Sequence, residues 1–209
     1  MENNNKPAKI ASIVLAAGCS SRLGQMKQLV PYKGQPLLAR LCDLAVQVSD
    51  EVHCVLGYQA ERLLSELADK QLNLVVNPDW GQGMSSSIAA GVKSLSHDVD
   101  AVMILLVDQW QLEAEHLNKL IQTWRNEPDN ISLASGKPGV QEFHSNIIGP
   151  PVIFPCHYFL ELEKLTGEQG AKPLIRKYSQ KLKFVELPQA FNDLDTPEQL
   201  EQLQAYLNG

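Results

Sequence analysis

A dense set of anion-binding side chains follows the first apolar run of this chain. Residues 15–27 read Leu-Ala-Ala-Gly-Cys-Ser-Ser-Arg-Leu-Gly-Gln-Met-Lys. Gly18 and Gly24 let backbone N–H groups approach an anion, and Ser20 and Ser21 add hydroxyl donors. Arg22 offers a planar fork and Lys27 a mobile point charge, both suited to neutralising a triphosphate. Glycine and serine alone would mark an ordinary strand-to-helix turn; two cations in the same loop turn the reading to phosphate binding. The spacing matches neither GxGxxG nor GxxxxGK[ST], which argues against a dinucleotide fold and a P-loop.

Two aspartates extend the chemistry. Asp108 directly follows residues 100–107, the most apolar stretch of the chain, and Asp195 lies in the segment Phe191-Asn-Asp-Leu-Asp-Thr-Pro-Glu. Mg2+ is typically held by one or two carboxylates plus substrate phosphates, so Asp108 and Asp195 read as a metal pair, with Asp193 orienting the loop. A helix cap is the alternative for Asp108, but the next helical pattern starts only near Glu113. Thr196 and Pro197 do read as a cap and a first helical residue. A third segment, residues 77–91, carries Gly81 and Gly83 around a turn and Ser85, Ser86 and Ser87 entering a helix. N–H groups at a helix start suit an anion or a polar base edge, and three serines behind Gly83-Met84 exceed what capping needs.

These groups need a scaffold that gathers them. Residues 10–17 form a continuous apolar run of the kind found in buried parallel strands. Helical spacing over 37–48, 59–69, 85–95 and 113–125 alternates with strand patterns over 51–57, 72–76 and 100–107. That rhythm predicts βαβ units and a parallel sheet, whose ligands bind beyond the carboxyl ends of the strands. Residues 131–154 read as strands and turns, 156–166 and 170–179 as helices, 182–187 as a late strand and 196–207 as a closing helix. The expected architecture is a three-layer α/β/α, Rossmann-like, mostly parallel sheet with an antiparallel edge strand. A single domain over 1–209 is expected, with residues 1–9 as a loose polar leader within it.

Bulk properties exclude other classes. The 209 residues suffice for one sizeable core. A net charge of −6 without a basic stripe argues against nucleic-acid binding. No stretch approaches the roughly 20 apolar residues of a membrane span, and Cys19, Cys42, Cys54 and Cys156 lack metal or redox spacing. A cytoplasmic protein is expected. The histidines, including His144, are scattered, and Trp80, Trp110 and Trp124 read first as packing residues.

The loop Ala16-Ala17-Gly18-Cys19-Ser20-Ser21-Arg22-Leu23-Gly24 followed by Lys27 resembles that of the molybdenum cofactor nucleotidyltransferases, the MobA-like NTP transferases, and especially their cytidylyltransferase branch. Asp108-Gln109, the run Asp193 to Leu200, the run Asn77 to Ser87, residues 149–154 and residues 167–176 resemble further segments of that family in the same order. Trp110 stands where the family has proline and Glu168 where it has aspartate. The resemblance implies transfer of CMP from CTP (or GMP from GTP) to the phosphate of a molybdopterin-type acceptor, with release of pyrophosphate and with Mg2+ as cofactor. It implies Arg22, Lys27 and Asp108 as catalytic residues and Asp108 and Asp195 as metal ligands. Ala17, Gly18, Ser20, Ser21, Gly24, Gly83, Met84, Ser85 and Ser87 would bind the nucleotide. A molybdoenzyme or its maturation chaperone would be a partner. A sugar phosphate or another phosphorylated alcohol is the alternative acceptor, and a cofactor-delivery protein the alternative class. The presence of Arg22, Lys27, Asp108 and Asp195 argues against pure delivery.

Overall fold

The computed structural model describes residues 7–140 and 147–208; His144 and most of the expected leader lie outside them. In chain order the elements begin with β1 (Ile10–Ala16), a two-stranded hairpin of β2 (Pro31–Tyr32) and β3 (Gln35–Pro36), α1 (Leu37–Val48) and β4 (Glu51–Leu56). Next come α2 (Ala60–Glu66), β5 (Asn73–Val76), α3 (Met84–Lys93), β6 (Ala101–Leu106), α4 (Ala114–Asn126) and β7 (Ile131–Ser135). The last are β8 (Ile148–Pro155), α5 (Phe159–Leu162), α6 (Lys172–Lys177), β9 (Leu182–Glu186) and α7 (Pro197–Asn208). Among the described residues no helix is long and apolar enough to cross a membrane.

One seven-stranded sheet runs in the order β5-β4-β1-β6-β8-β7-β9. All seven residues of β1 are buried because both faces of the sheet are covered. Ile10, Val14 and Ala16 point into a core shared with α1, α2, α4 and α7. Ala11, Ile13 and Leu15 point into a second core shared with α3, α5 and α6. The period-2 alternation of a strand thus divides one apolar run between two layers, which gives the expected α/β/α sandwich.

The antiparallel strand departs from expectation. It is β8, and it lies inside the sheet, paired on one side with β6 and on the other with β7. The edge position falls to β9, which runs parallel to β7. After α4 carries the chain from β6 past a vacant slot to β7, the returning segment enters that slot in the opposite direction, since a reversal needs no crossover helix. Pro150 and Pro151 are tolerated in this central strand because the β7 register shifts between Leu133 and Ala134 opposite them, so a bulge relieves the ladder of their missing N–H groups. The helices expected over 156–166 and 170–179 are shorter than their patterns. The chain between α5 and α6 instead turns back over the start of α3, where the Ser85 N–H donates to the Gly167 carbonyl at 3.2 Å.

Strand order reverses between β1 and β6: β1 leads through α1 to β4 on one side, and β5 leads through α3 to β6 on the other. A crevice opens beyond the carboxyl ends at such a switch point. The loop after β1 and Asp108 after β6 both meet there.

Candidate active site

The loop after β1 is shaped by a residue that no motif reading singled out. Gln28 is 1% exposed. Its amide Nε2 donates to the carbonyls of Ala16 at 2.9 Å and Gly18 at 2.8 Å, clamping the point where the chain leaves the strand. The Ser20 hydroxyl bonds Gln28 Oε1 at 3.5 Å and accepts the Lys27 N–H at 3.3 Å, closing the loop on itself. On the other side the Tyr58 N–H donates to the Ala17 carbonyl at 3.0 Å, tying the loop to the end of β4. The only sequence signal for Gln28 is an amide beside the apolar pair Leu29-Val30.

Lys27 reaches from this loop to both aspartates. Its Nζ lies 2.9 Å from Asp108 Oδ2 and also bonds Asp195 Oδ1. Asp108 and Asp195 come from distant parts of the chain, and backbone holds them together: the Leu194 N–H donates to the Asp108 carbonyl at 3.2 Å. Gln199 Oε1 accepts the Asp195 N–H at 2.7 Å and the Thr196 N–H at 3.0 Å, while Thr196 Oγ1 accepts the Gln199 N–H at 3.4 Å. This reciprocal cap fixes Asp195 at the mouth of α7. Asp108 caps no helix, because α4 is capped by Glu113 together with His116.

A cavity of about 390 Å³ opens over this constellation. Ala17, Gly18, Ser20, Ser21, Arg22 and Lys27 line it from the loop, Gly83, Met84 and Ser87 from the start of α3, and Asp108 and Asp195 from the carboxylate side. Two expected residues sit elsewhere. Gly24 faces a broader groove on the outer side of the loop. Ser85 is fully buried, and its hydroxyl donates to the Gly170 carbonyl at 3.3 Å. Ser87 is held toward the cavity by Asn77, whose Nδ2 donates to the hydroxyls of Ser86 at 3.0 Å and Ser87 at 3.1 Å. A second cavity of about 280 Å³ adjoins the first, sharing Met84 and Leu106 with it. Its walls are mainly apolar, from Ile88, Ile104, Val152 and Phe191, with Asp193 and Lys172 at hand. Gln109 supports it by donating to the carbonyls of Pro150 at 2.7 Å and Ala190 at 2.8 Å.

The MobA-like NTP transferase domain model matches residues 12–182, which include most of β1, the loop after it and Asp108. The chain belongs to that family. Among curated relatives of this nucleotidyltransferase is the nicotine blue oxidoreductase of Paenarthrobacter nicotinovorans, 28% identical over 93% of this chain and 96% of the relative. Another is the molybdenum cofactor cytidylyltransferase of Escherichia coli, 26% identical over 90% of this chain and 92% of the relative. Among solved structures, the Mycobacterium tuberculosis Rv0371c homologue from Mycobacterium sp. strain JC1 superposes with a TM-score of 0.79 at 27% identity, over 95% of this chain and 96% of that one.

In this MobA-like domain the carboxylates and the lysine of the site shift one another's titration. Burial works against the charge on Lys27, but Asp108 and Asp195 outweigh it and raise the ammonium pKa above its ordinary value. Burial, reinforced by the charges of Asp108 and Asp195, pushes the Asp193 carboxyl up to about 6. Asp108 and Asp195 share one lysine, and Asp193 lies near enough to feel the charge of all three. Asp108 Oδ1 is buried and accepts no hydrogen bond from the described residues. An orphaned carboxylate oxygen beside a second carboxylate is a hard oxygen donor set of the kind Mg2+ takes, with phosphate oxygens supplying the remainder.

Proposed function

We propose that the chain is a Mg2+-dependent cytidylyltransferase that moves CMP from CTP to the terminal phosphate of a molybdopterin-type acceptor. The observation that carries this reading is the convergence of Lys27, Asp108 and Asp195 under a clamped glycine–serine loop, with a second cavity continuing past Met84 and Leu106. A nucleotide fits the first hollow and an acceptor body the second, so that the two meet beside Asp108. An acceptor phosphate oxygen attacks the α-phosphorus in line, the bond from the α-phosphorus to its β-bridging oxygen breaks, and pyrophosphate leaves with that electron pair.

The chain's own contribution is positioning and charge, which supplies most of the catalysis in phosphoryl and nucleotidyl transfer. The backbone N–H groups and hydroxyls of residues 18–21 receive the triphosphate, and Arg22 and Lys27 neutralise charge that builds on the phosphates. Asp108 and Asp195 would hold the Mg2+, which when bound lowers the charge repulsion between nucleophile and triphosphate. The Escherichia coli relative, named as a molybdenum cofactor cytidylyltransferase, supports this acceptor and nucleotide. Ala17 supports the choice of base: it is buried and lines the nucleotide cavity, so its methyl narrows the space a purine would need.

The test is pyrophosphate release measured with CTP, GTP, ATP and UTP in the presence of molybdopterin. The expected result is a higher kcat/KM for CTP, with Ala17→Gly eroding the preference by about tenfold, the scale of one methyl in a tight pocket. A preference for GTP would make the chain a guanylyltransferase. Pyrophosphate release only with a sugar phosphate would remove the molybdopterin acceptor.

A further inference from the structure

Trp80 stands apart from the other tryptophans. Trp110 and Trp124 are core residues, 7% and 1% exposed. Trp80 is half-buried and lines the nucleotide cavity together with Ala17, Gly81 and Ser87. It is also a wall of the wider groove behind the loop, so it stands between the two hollows. Ligand pockets are lined mainly by hydrophobic and aromatic side chains with a few polar groups among them, and Trp80 gives this cavity its aromatic wall.

The local construction holds this indole rigidly. A Cβ on Gly57 would fall 2.5 Å from Trp80 Cβ, 2.7 Å from its Cγ and 2.8 Å from the Ala17 carbonyl oxygen. The close approach of Trp80 to the end of β4 therefore requires glycine at 57. The next residue, Tyr58, meets the Trp80 ring edge-on at 5.6 Å and donates its N–H to Ala17. On the far side the Trp80 carbonyl accepts the Gly83 N–H at 3.2 Å, closing the turn that leads into α3. Ala17, Gly57, Tyr58 and Trp80 thus form one fixed strip along the cavity. An aromatic surface held in place before binding loses little freedom on contact with a ligand.

We propose that Trp80 is the platform on which the nucleobase of the incoming NTP stacks, and that it selects the base jointly with Ala17. This rests on the nucleotidyltransferase reading above. The hydroxyls and cations of the loop serve the triphosphate, whereas Trp80 supplies a broad aromatic face in the same cavity. Stacking tolerates any base; discrimination arises because a platform locked against Gly57 keeps a constant separation from the Ala17 methyl, leaving room for a single ring more readily than for two.

The experiment is nucleotide binding by the full chain with Mg2+ and without acceptor, followed by intrinsic fluorescence and by calorimetry. CTP is expected to quench the emission, because Trp80 is the tryptophan that reaches the cavity, and inorganic tripolyphosphate to bind with little quenching. Trp80→Ala and Trp80→Leu are expected to weaken CTP roughly five- to a hundredfold, as loss of one base stack does, with tripolyphosphate affinity unchanged. Trp80→Phe is expected to recover most of the CTP affinity. Normal CTP affinity in folded Trp80→Ala or Trp80→Leu would overturn the platform alone. An equal loss of tripolyphosphate affinity would reduce Trp80 to a packing residue. Failure of the unaltered chain to bind any NTP would overturn the nucleotidyltransferase reading and the platform with it.

Discussion

Asp108 serves the site through one oxygen bonded to Lys27 and a second that is buried and without a hydrogen-bond partner among the described residues. A buried, unsatisfied carboxylate oxygen is expensive to keep, and its retention beside Asp195 supports the Mg2+ site proposed above. Asp108→Ala should therefore stop turnover and leave the fold intact, because β6 is buried by its own apolar residues and not by this carboxylate. The expected loss is about a thousandfold in pyrophosphate release, roughly 4 kcal/mol of transition-state stabilisation. Thermal unfolding measured alongside should show a near-unchanged Tm. Turnover close to that of the unaltered chain in a folded Asp108→Ala variant would remove Asp108 from the chemistry.

At the scale of elements, two long-range couplings hold the site open. One joins the start of α3 to the turn before α6. Gly83 has φ 103°, and a Cβ there would lie 2.6 Å from the Gly167 carbonyl oxygen. Gly83→Ala combines a backbone conformation disfavoured for L side chains with a clash against backbone. It should destabilise the chain by about 2–4 kcal/mol, visible as a Tm lowered by roughly 5–15 °C. An unchanged Tm would show that the turn can move aside without loss. The second coupling joins Asp108 to α7. Trp110, in the position where the family has proline, is buried between Tyr32 and Tyr206, with ring centroids at 6.1 Å and 5.2 Å. Its effect is to anchor α7, and with it the cap that presents Asp195, while the second cavity is built from other residues.

Across the whole molecule, the amino-terminal ends of the strands, opposite the site, carry their own charged network. Glu51 accepts the Ser96 N–H at 3.0 Å, bonds His53 Nε2 at 3.0 Å and faces Lys9 Nζ at 3.3 Å. Burial pushes its carboxyl up, but these partners outweigh burial and hold the pKa at about 2, against an ordinary value of 4.5. A carboxyl depressed on folding stabilises the fold fully above its unfolded pKa and loses that contribution as pH falls through the folded one. The window here lies between 4.5 and about 2. Glu51→Gln should lower Tm at neutral pH and flatten the fall of Tm across that window relative to the unaltered chain. Parallel acid-unfolding curves for the two proteins would count against the network.

Much of this arrangement was legible in the sequence because it depends on neighbours along the chain. The apolar run of β1, the helical spacing of α1 and α4, and the Thr196-Pro197 cap are local patterns, and residues 15–27 carry their cations within one loop. The parallel core of the sheet follows from the alternation of such elements, and it places Lys27 and Asp108 beyond the carboxyl ends of neighbouring strands. What the sequence left open is set by contacts between segments far apart in it. The reversed strand lies inside the sheet because only packing shows which slot β8 fills. Gln28 shapes the loop after β1 through carbonyls that become acceptors only once β1 ends where it does. Ser85, predicted to face the nucleotide, is claimed by Gly170, while Trp80, read as a packing residue, is left facing the cavity because Gly57 admits it there. A residue's type declares what bonds it can make; which partner receives them is decided by the folded chain, where burial makes every unsatisfied polar group costly and every close approach dependent on the atoms already present.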